Sequence, residues 1–547
     1  MLVGILLIAV GLFLPAYIVY GRFLEKRYDI NDKNPTPSHT NYDGIDRVPA
    51  HKAVLLGHHF SSIAGAGPVV GPIIATIAFG WVAVLVWVVL GAIFIGGVHD
   101  FSALIASVRH RGRSIAEIAR EYMSPMAYKL FLVFTWLSLV YVLTVFTDLT
   151  ATTFVEDGGV ATSSILFIGL AIGFGLFVYR LKVPVLWSSL LFVPLVFVAV
   201  WVGQKIPILP DRVSTIVGFA PGKTWAVVLI IYCFLASTTP VWILLQPRDY
   251  LSSYLLYSSV LGGLLGILLG GFTMYYPAFT GWSDPQAGTL FPILFITVAC
   301  GACSGFHALV ASGTSSKQLD KESDAKTIGY GAMLIEGLVA VVALATVAML
   351  KKGEPLTAKA PLVIYGTGMS RFLSTFGISP KLGFSFGLLA LSTFILTTLD
   401  TATRLGRYIF EEFFQLKGTR WRYLSTLATL VLPTIFVLIT LKDASGNPIP
   451  AWKAIWPVFG ATNQLLAGLV FLVVAVWLKK MSKRVGFLLA PMVFMNVMTV
   501  CALVLLLGKY RLSAIGIIAG ILLCLALVLM VETYKAVRKN RKLPVTL

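Results

Sequence analysis

The stretch Gly57-His58-His59-Phe60-Ser61-Ser62-Ile63-Ala64-Gly65-Ala66-Gly67-Pro68-Val69-Val70-Gly71-Pro72 lies inside an apolar run, 53–79, that is long enough to cross a membrane. About 20 apolar residues in a helix span the roughly 30 Å of a bilayer's hydrocarbon. Two glycines directly ahead of Pro68, with Pro72 a turn later, are hard to hold in one smooth helix. Lipid accepts irregular backbone only where protein buries it or a cavity hydrates it, because unpaired N–H and C=O groups cost several kcal/mol each. The pattern therefore predicts a break in the span at Gly65 and Gly67. A kinked but continuous helix, packed on a neighbour through its glycines, is the other reading.

The rest of the chain has the same character. Its 547 residues are 57% hydrophobic and 12% charged, with a mean hydropathy of +0.87. A soluble domain is about 45–50% apolar and about 25% charged, so a soluble globule is excluded and a polytopic all-α membrane protein follows. The balance of 43 Lys+Arg against 24 Asp+Glu, +19 net, would point to nucleic acid in a soluble chain. Here the basic residues sit in short breaks between apolar runs, so the charge reads as membrane orientation, with the lipid bilayer and not a nucleic acid as partner. All five cysteines (Cys233, Cys300, Cys303, Cys501, Cys524) lie within apolar runs, which argues against a secreted disulfide scaffold.

Fifteen segments reach membrane length: 2–20, 53–79, 80–102, 127–148, 162–180, 184–204, 225–247, 254–278, 290–313, 327–350, 382–404, 424–441, 455–478, 486–507 and 512–533. The first lacks a basic leader and an A-x-A-like cleavage site and reads as a retained helix. Alternate breaks hold most of the Lys and Arg, which predicts the N-terminus outside and the C-terminus inside. The outer segment 351–381, amphipathic from Pro361 to Phe376, reads as a lid over an entrance or as a helix resting on the membrane surface.

A second break is expected at Ala236-Ser237-Thr238-Thr239-Pro240, in the middle of 225–247. Hydroxyls satisfying the groups freed by Pro240 are the plain structural alternative. The two interrupted spans run in opposite directions and each begins five helices, 53–204 and 225–404, which suggests inverted repeats with discontinuous first helices. Positive half-helix ends near the midplane suit a small carboxylate as solute.

The stretch 57–72 resembles a hallmark of the carbon-starvation protein A family. So do Gln246-Pro-Arg-Asp-Tyr-Leu251, Cys300-Gly-Ala-Cys-Ser-Gly-Phe-His307, Gly313-Thr-Ser-Ser-Lys-Gln-Leu319, Leu399-Asp-Thr-Ala-Thr-Arg-Leu-Gly-Arg-Tyr408 and Trp456-Pro-Val-Phe-Gly-Ala-Thr-Asn-Gln464. The resemblance implies a bacterial inner-membrane uptake system for pyruvate or small peptides, serving carbon starvation and related to the amino acid–polyamine–cation transporters. It also implies two family blocks, here 1–351 and a C-terminal five-helix block, 382–533.

Candidate site residues follow from polar groups inside the spans. An acid at mid-helix costs at least about 2.5–3.5 kcal/mol on insertion scales and faces a cavity or a partner. Glu336 suits a proton carrier, or a structural carboxyl paired with a hydroxyl or base on another helix. Asp400, with Thr397 a turn before it, reads as a coupling residue or as an ion pair with Arg404. His58 and His59 cannot both face one small site, since adjacent helical residues differ by about 100°; one is expected to line a vestibule while the other bonds to the scaffold. Ser61, Ser62, Gly65, Gly67, Ser237, Thr238, Thr239, Ser304 and His307 complete the expected substrate path. Ser312, Thr314 and Ser315 match in position the hydroxyls that join a broken first helix around Na⁺ in sodium-coupled relatives, yet Glu336 and His58 favour H⁺. Asp100, Asp148 and Asp249 fall near span ends, where solvated or capping roles are the default.

The competing class is an intramembrane metal or redox protein using His58, His59, Cys300, Cys303 and His307, the last three on one helical face. The small residues around them favour close packing instead, so no metal or other cofactor is expected. No G-x-x-x-x-G-K-[ST] loop is present, and no polar stretch is large enough for a signalling domain. A secondary transporter, not an enzyme, is the expected function.

Overall fold

The computed structural model describes residues 2–43, 47–122, 124–210, 218–240, 242–442 and 448–538. Its main helices are α1 (Val3–Arg27), α2 (Lys52–Ile63), α3 (Gly67–Phe79), α4 (Trp81–Arg109), α5 (Pro125–Glu156), α6 (Gly158–Arg180), α7 (Val185–Lys205), α8 (Pro221–Thr238) and α9 (Leu245–Leu269). They continue as α10 (Leu290–Thr297), α11 (Gly305–Gly313), α12 (Lys326–Ala348), α13 (Pro361–Ser374), α14 (Pro380–Phe414), α15 (Thr419–Leu438), α16 (Ala451–Lys480), α17 (Gly486–Tyr510) and α18 (Ala514–Arg538). Two short antiparallel hairpins, Ser283–Asp284 with Gly288–Thr289 and Leu441–Lys442 with Pro448–Ile449, are the named strands.

Among the described residues, twelve helices are individually long and apolar enough to cross a membrane, and α2 with α3 forms a thirteenth span bent by 47°. Fifteen were expected from length and hydropathy. The difference lies in 290–313, which is two short helices, and in α18, whose described apolar part is Ile515–Val531. The centre of the bundle is α5, α12, α14 and α16, whose apolar windows are mostly buried; α1, α7, α15 and α17 form a rim. Rim side chains such as Leu14, Trp187, Trp201, Val431 and Val493 point outward. A helix in water would carry polar residues there, so this surface matches hydrocarbon.

The first break lies where the sequence places it. Helix α2 stops at Ile63, Ala64 leaves the helical region with ψ 62°, and α3 starts at Gly67. The glycines are required by close approach. A Cβ on Gly65 would lie 2.6 Å from the Phe146 ring, one on Gly67 would collide with the Cys300 side chain, and one on Gly71 with the Thr297 carbonyl oxygen.

The second break lies elsewhere than expected. Thr239 is extended (φ −77°, ψ 146°), as the residue ahead of a proline is biased to be, so Pro240 ends α8 instead of interrupting it. Val241 lies outside the described residues. The interrupted helix is α10–α11, where 298–304 leave the helical path and Ser304 is extended (φ −128°, ψ 124°). Its freed groups find partners on other helices, as lipid requires. Trp87 Nε1 donates to the Val298 carbonyl at 3.1 Å, the Gln464 side-chain amide donates to the Phe295 carbonyl, and Asn463 Oδ1 accepts the Phe306 N–H at 3.0 Å.

Segment 361–374 is neither a surface helix nor a loose lid. Helix α13 is largely buried, packing on α14, α9, α3 and α12. The closeness is set by Gly368 against Thr346 and by Gly266 against Phe372.

Candidate functional site

The two interrupted helices meet at their breaks, where Gly67 and Gly71 of α3 touch Cys300, Thr297 and Val298. Ser61, Ser62, Ile63, Ala64 and Ala66 are all buried. In this conformation the crossing is packed shut. Helix α2 runs into it with a histidine on each side, and each histidine belongs to a different buried polar network.

On one side, α11 presents His307 between two acids. His307 Nδ1 donates to Asp100 Oδ2 at 2.8 Å, and His307 Nε2 lies 3.2 Å from Glu336 Oε2 without hydrogen-bond alignment. The other oxygen of Asp100 accepts from His99 Nδ1 at 2.8 Å. All four side chains are fully buried. His59 Nδ1 pairs with Ser315 Oγ at 2.8 Å, at the far end of α11.

On the other side, His58 Nδ1 lies 3.1 Å from Asp249 Oδ2. The next residue back, Arg248, is wholly buried and its Nη1 donates to both Asp400 and the Tyr232 hydroxyl. Tyr232 in turn donates to Asp400 at 2.9 Å. One helix of the core (α14) and two beside it (α8, α9) are thus tied to α2 through charge.

Set against known proteins, the description "Carbon starvation protein CstA" matches residues 1–367 and 354–502. The chain belongs to this family. It is 32% identical over 529 residues to the peptide transporter CstA of Bacillus subtilis, covering 87% of this chain and 85% of that one. It is 30% identical over 590 residues to the pyruvate/proton symporter BtsT of Escherichia coli, covering 91% and 81%. Among solved structures, a manganese transporter of Eremococcus coleocola aligns with a TM-score of 0.49 at 13% identity, over 92% of this chain and 99% of that one. The chain is therefore a multi-pass membrane transporter and not an enzyme.

Within this CstA-family chain the residues singled out from sequence part into groups. The structure brings His307 to Glu336, and His58 and His59 diverge to different networks. Ser304 Oγ donates to Asn463 Oδ1 at 3.1 Å, and Ser61 Oγ donates to its own helix at Gly57 O, 2.7 Å. Ser62 Oγ is buried without a protein partner, while its carbonyl lies 3.4 Å from Thr398 Oγ1.

Ser237, Thr238 and Thr239 are not at the crossing of the breaks but at the end of α8. The hydroxyls of Thr238 and Thr239 bond back to Phe234 O and Leu235 O, and the end carbonyls are capped by Arg404 (to Ala236 O, 2.9 Å, and Thr239 O, 3.1 Å) and Arg422 (to Thr238 O, 3.2 Å). Cations on the last carbonyls of a helix are a favourable arrangement. This also corrects the Asp400–Arg404 pair: Asp400 is held by Arg248, because Arg404 is engaged on α8. Thr397, Ser312 and Thr314 donate to carbonyls of their own helices, at Thr393, Ala308 and Val310. Of the hydroxyls at the end of α11, Ser315 reaches α2, at His59.

Asp100 and Asp249 are not at solvated ends. Helix α4 continues to Arg109 and α9 begins at Leu245, so both acids are interior and buried. The signal in the sequence was the pair of charged dipeptides, His99-Asp100 and Arg248-Asp249, within apolar surroundings. Cys300, Cys303 and His307 do not share a helical face, since the break separates the cysteines from α11. Asn463 Nδ2 lies 3.2 Å from Cys300 Sγ, and His307 turns to the acids. Among the described residues, no three of His, Cys, Asp and Glu converge as metal ligands.

Proposed function

We propose that this chain is a proton-coupled symporter for small carboxylated nutrients, pyruvate or short peptides, working in the bacterial inner membrane during carbon starvation. The observation that carries the reading is His307 held between Asp100 and Glu336 beside the crossing of the interrupted helices. Two relatives named for peptide transport and for pyruvate/proton symport support the substrate class.

The proton logic follows from donors and acceptors. An ionised carboxylate only accepts, so Asp100 fixes the Nδ1–H form of His307. A neutral His307 then offers its Nε2 lone pair to Glu336, which must carry a proton to meet it. Otherwise His307 is cationic and Glu336 is ionised. One proton is shared across that 3.2 Å contact in both arrangements. Adding the coupling proton gives His307⁺, Asp100⁻ and neutral Glu336, a triad without net charge. A neutral triad is cheaper to move through a low-dielectric core than one left with charge −1. Rearrangement of α2 about residues 64–66 would open the crossing to the solute, with the N-terminus outside and the C-terminus inside. H⁺ is favoured over Na⁺ as the coupling ion because the buried His307–Glu336 contact can take up and release a proton.

The test is uptake into proteoliposomes under an imposed proton gradient. Glu336→Gln is expected to lose accumulation of labelled pyruvate or dipeptide at least about tenfold, as a lost coupling group would, while solute exchange without a gradient persists. Equal proton-driven accumulation by Glu336→Gln and wild type removes Glu336 from coupling.

A further inference from the structure

The motif Gln246–Leu251 is not used by the proton network. It opens α9 and buries Arg248 completely. Only one nitrogen of the guanidinium, Nη1, has hydrogen-bond partners, namely Asp400 and Tyr232. Nε and Nη2 have none, although Nη2 lies 3.6 Å from Asp249 Oδ1. Asp249 Oδ1 and Asp400 Oδ1 accept no hydrogen bond either. A guanidinium carries five donors in a planar fork, and leaving half of them dry and unmade is expensive. The Nε–Nη2 edge is the shape that takes a carboxylate through two parallel bonds.

We propose that Arg248 is the carboxylate-binding residue of the transport site, its Nε–Nη2 edge taking the solute's carboxylate while Asp400 and Asp249 hold the guanidinium in the solute's absence. The assignment rests on the carboxylate-symport reading above. Its position fits. Helix α2 packs over α9, with Gly57 against Ser253, and is bent by 47° from α3 at the break. On α2, His58 is part-open, its side chain 12% exposed against 1% or less for Asp249, Asp400 and Arg248, while Tyr232 on α8 is half-buried. A tilt of α2 would therefore uncover the Arg248 edge first. The two aspartates compete with the solute for one positive charge, so weakening that competition strengthens anion binding.

The experiment measures binding of pyruvate and of dialanine to purified full-length protein by calorimetry, with thermal melting as a check on folding. Asp400→Asn keeps the shape of the side chain and is expected to bind both about tenfold tighter, while Arg248→Lys, which keeps the charge and loses the fork, binds at least about tenfold more weakly. Pyruvamide, which lacks the carboxylate, should bind wild type and Arg248→Lys alike. Binding by Asp400→Asn that is unchanged or weaker overturns the role of Arg248, whatever becomes of Arg248→Lys. If wild type binds neither pyruvate nor dialanine, the carboxylate reading itself falls; if wild type binds both and Asp400→Asn fails to tighten, only Arg248 is wrong.

Discussion

Asp100 and Asp148 show how one residue type serves two purposes in this bundle. Asp100 sits between two histidines in the core and belongs to the proton network. Asp148, on α5, accepts the Trp452 N–H at 2.8 Å and caps the start of α16, where the N-cap residue is Pro450 and has no side chain that can accept. Losing an N-cap acceptor costs about 0.5–2 kcal/mol. Asp148→Ala should accordingly lower the melting temperature of purified protein while leaving proton-driven uptake near wild type; uptake lost at unchanged stability would show that Asp148 does more than cap. At this scale the sequence exposes the isolated charge, Glu336, and the histidines. It puts Asp100 and Asp249 near span ends and Arg248 in a polar break, whereas the helices Trp81–Arg109 and Leu245–Leu269 carry all three in their buried parts. A partner 191 positions away, as Asp249 is from His58, leaves no local mark.

The interrupted helices differ in what holds them. The first is dictated by its own glycines and prolines, so the chain's local chemistry reveals it. The second is held open by side chains of other helices, Trp87, Asn463 and Gln464, and its small residues, Ala299 to Gly305, are equally at home in a packed continuous helix. The likeness of Trp456–Gln464 to a family motif gains a physical meaning here, as Asn463 and Gln464 fasten the break. Packing at the crossing is open to test. Gly71→Ala drives a methyl into the Thr297 backbone carbonyl and should cost about 1–3 kcal/mol. Gly67→Ala meets only the Cys300 side chain, so Cys300→Gly should restore its melting temperature but not that of Gly71→Ala. Rescue of both, or of neither, would show that the two contacts are not distinct.

For the molecule as a whole, orientation is the property most open to a simple assay. Single cysteines at Lys321 and Lys359, both exposed and in different polar breaks, test it with an impermeant maleimide label. Lys359→Cys is expected to react on intact cells, and Lys321→Cys only once the membrane is permeabilised; the reverse pattern would invert the topology. Class, approximate spans and the first break are fixed by composition and by glycine–proline chemistry, since apolar length and backbone freedom are local properties that any bilayer reads alike. The second break, the burial of α13, the pairing of Arg248 with Asp400 and the triad around His307 depend on which helices become neighbours. Buried charges and freed peptide groups must find partners wherever the packing places them, and only the tertiary structure decides where that is.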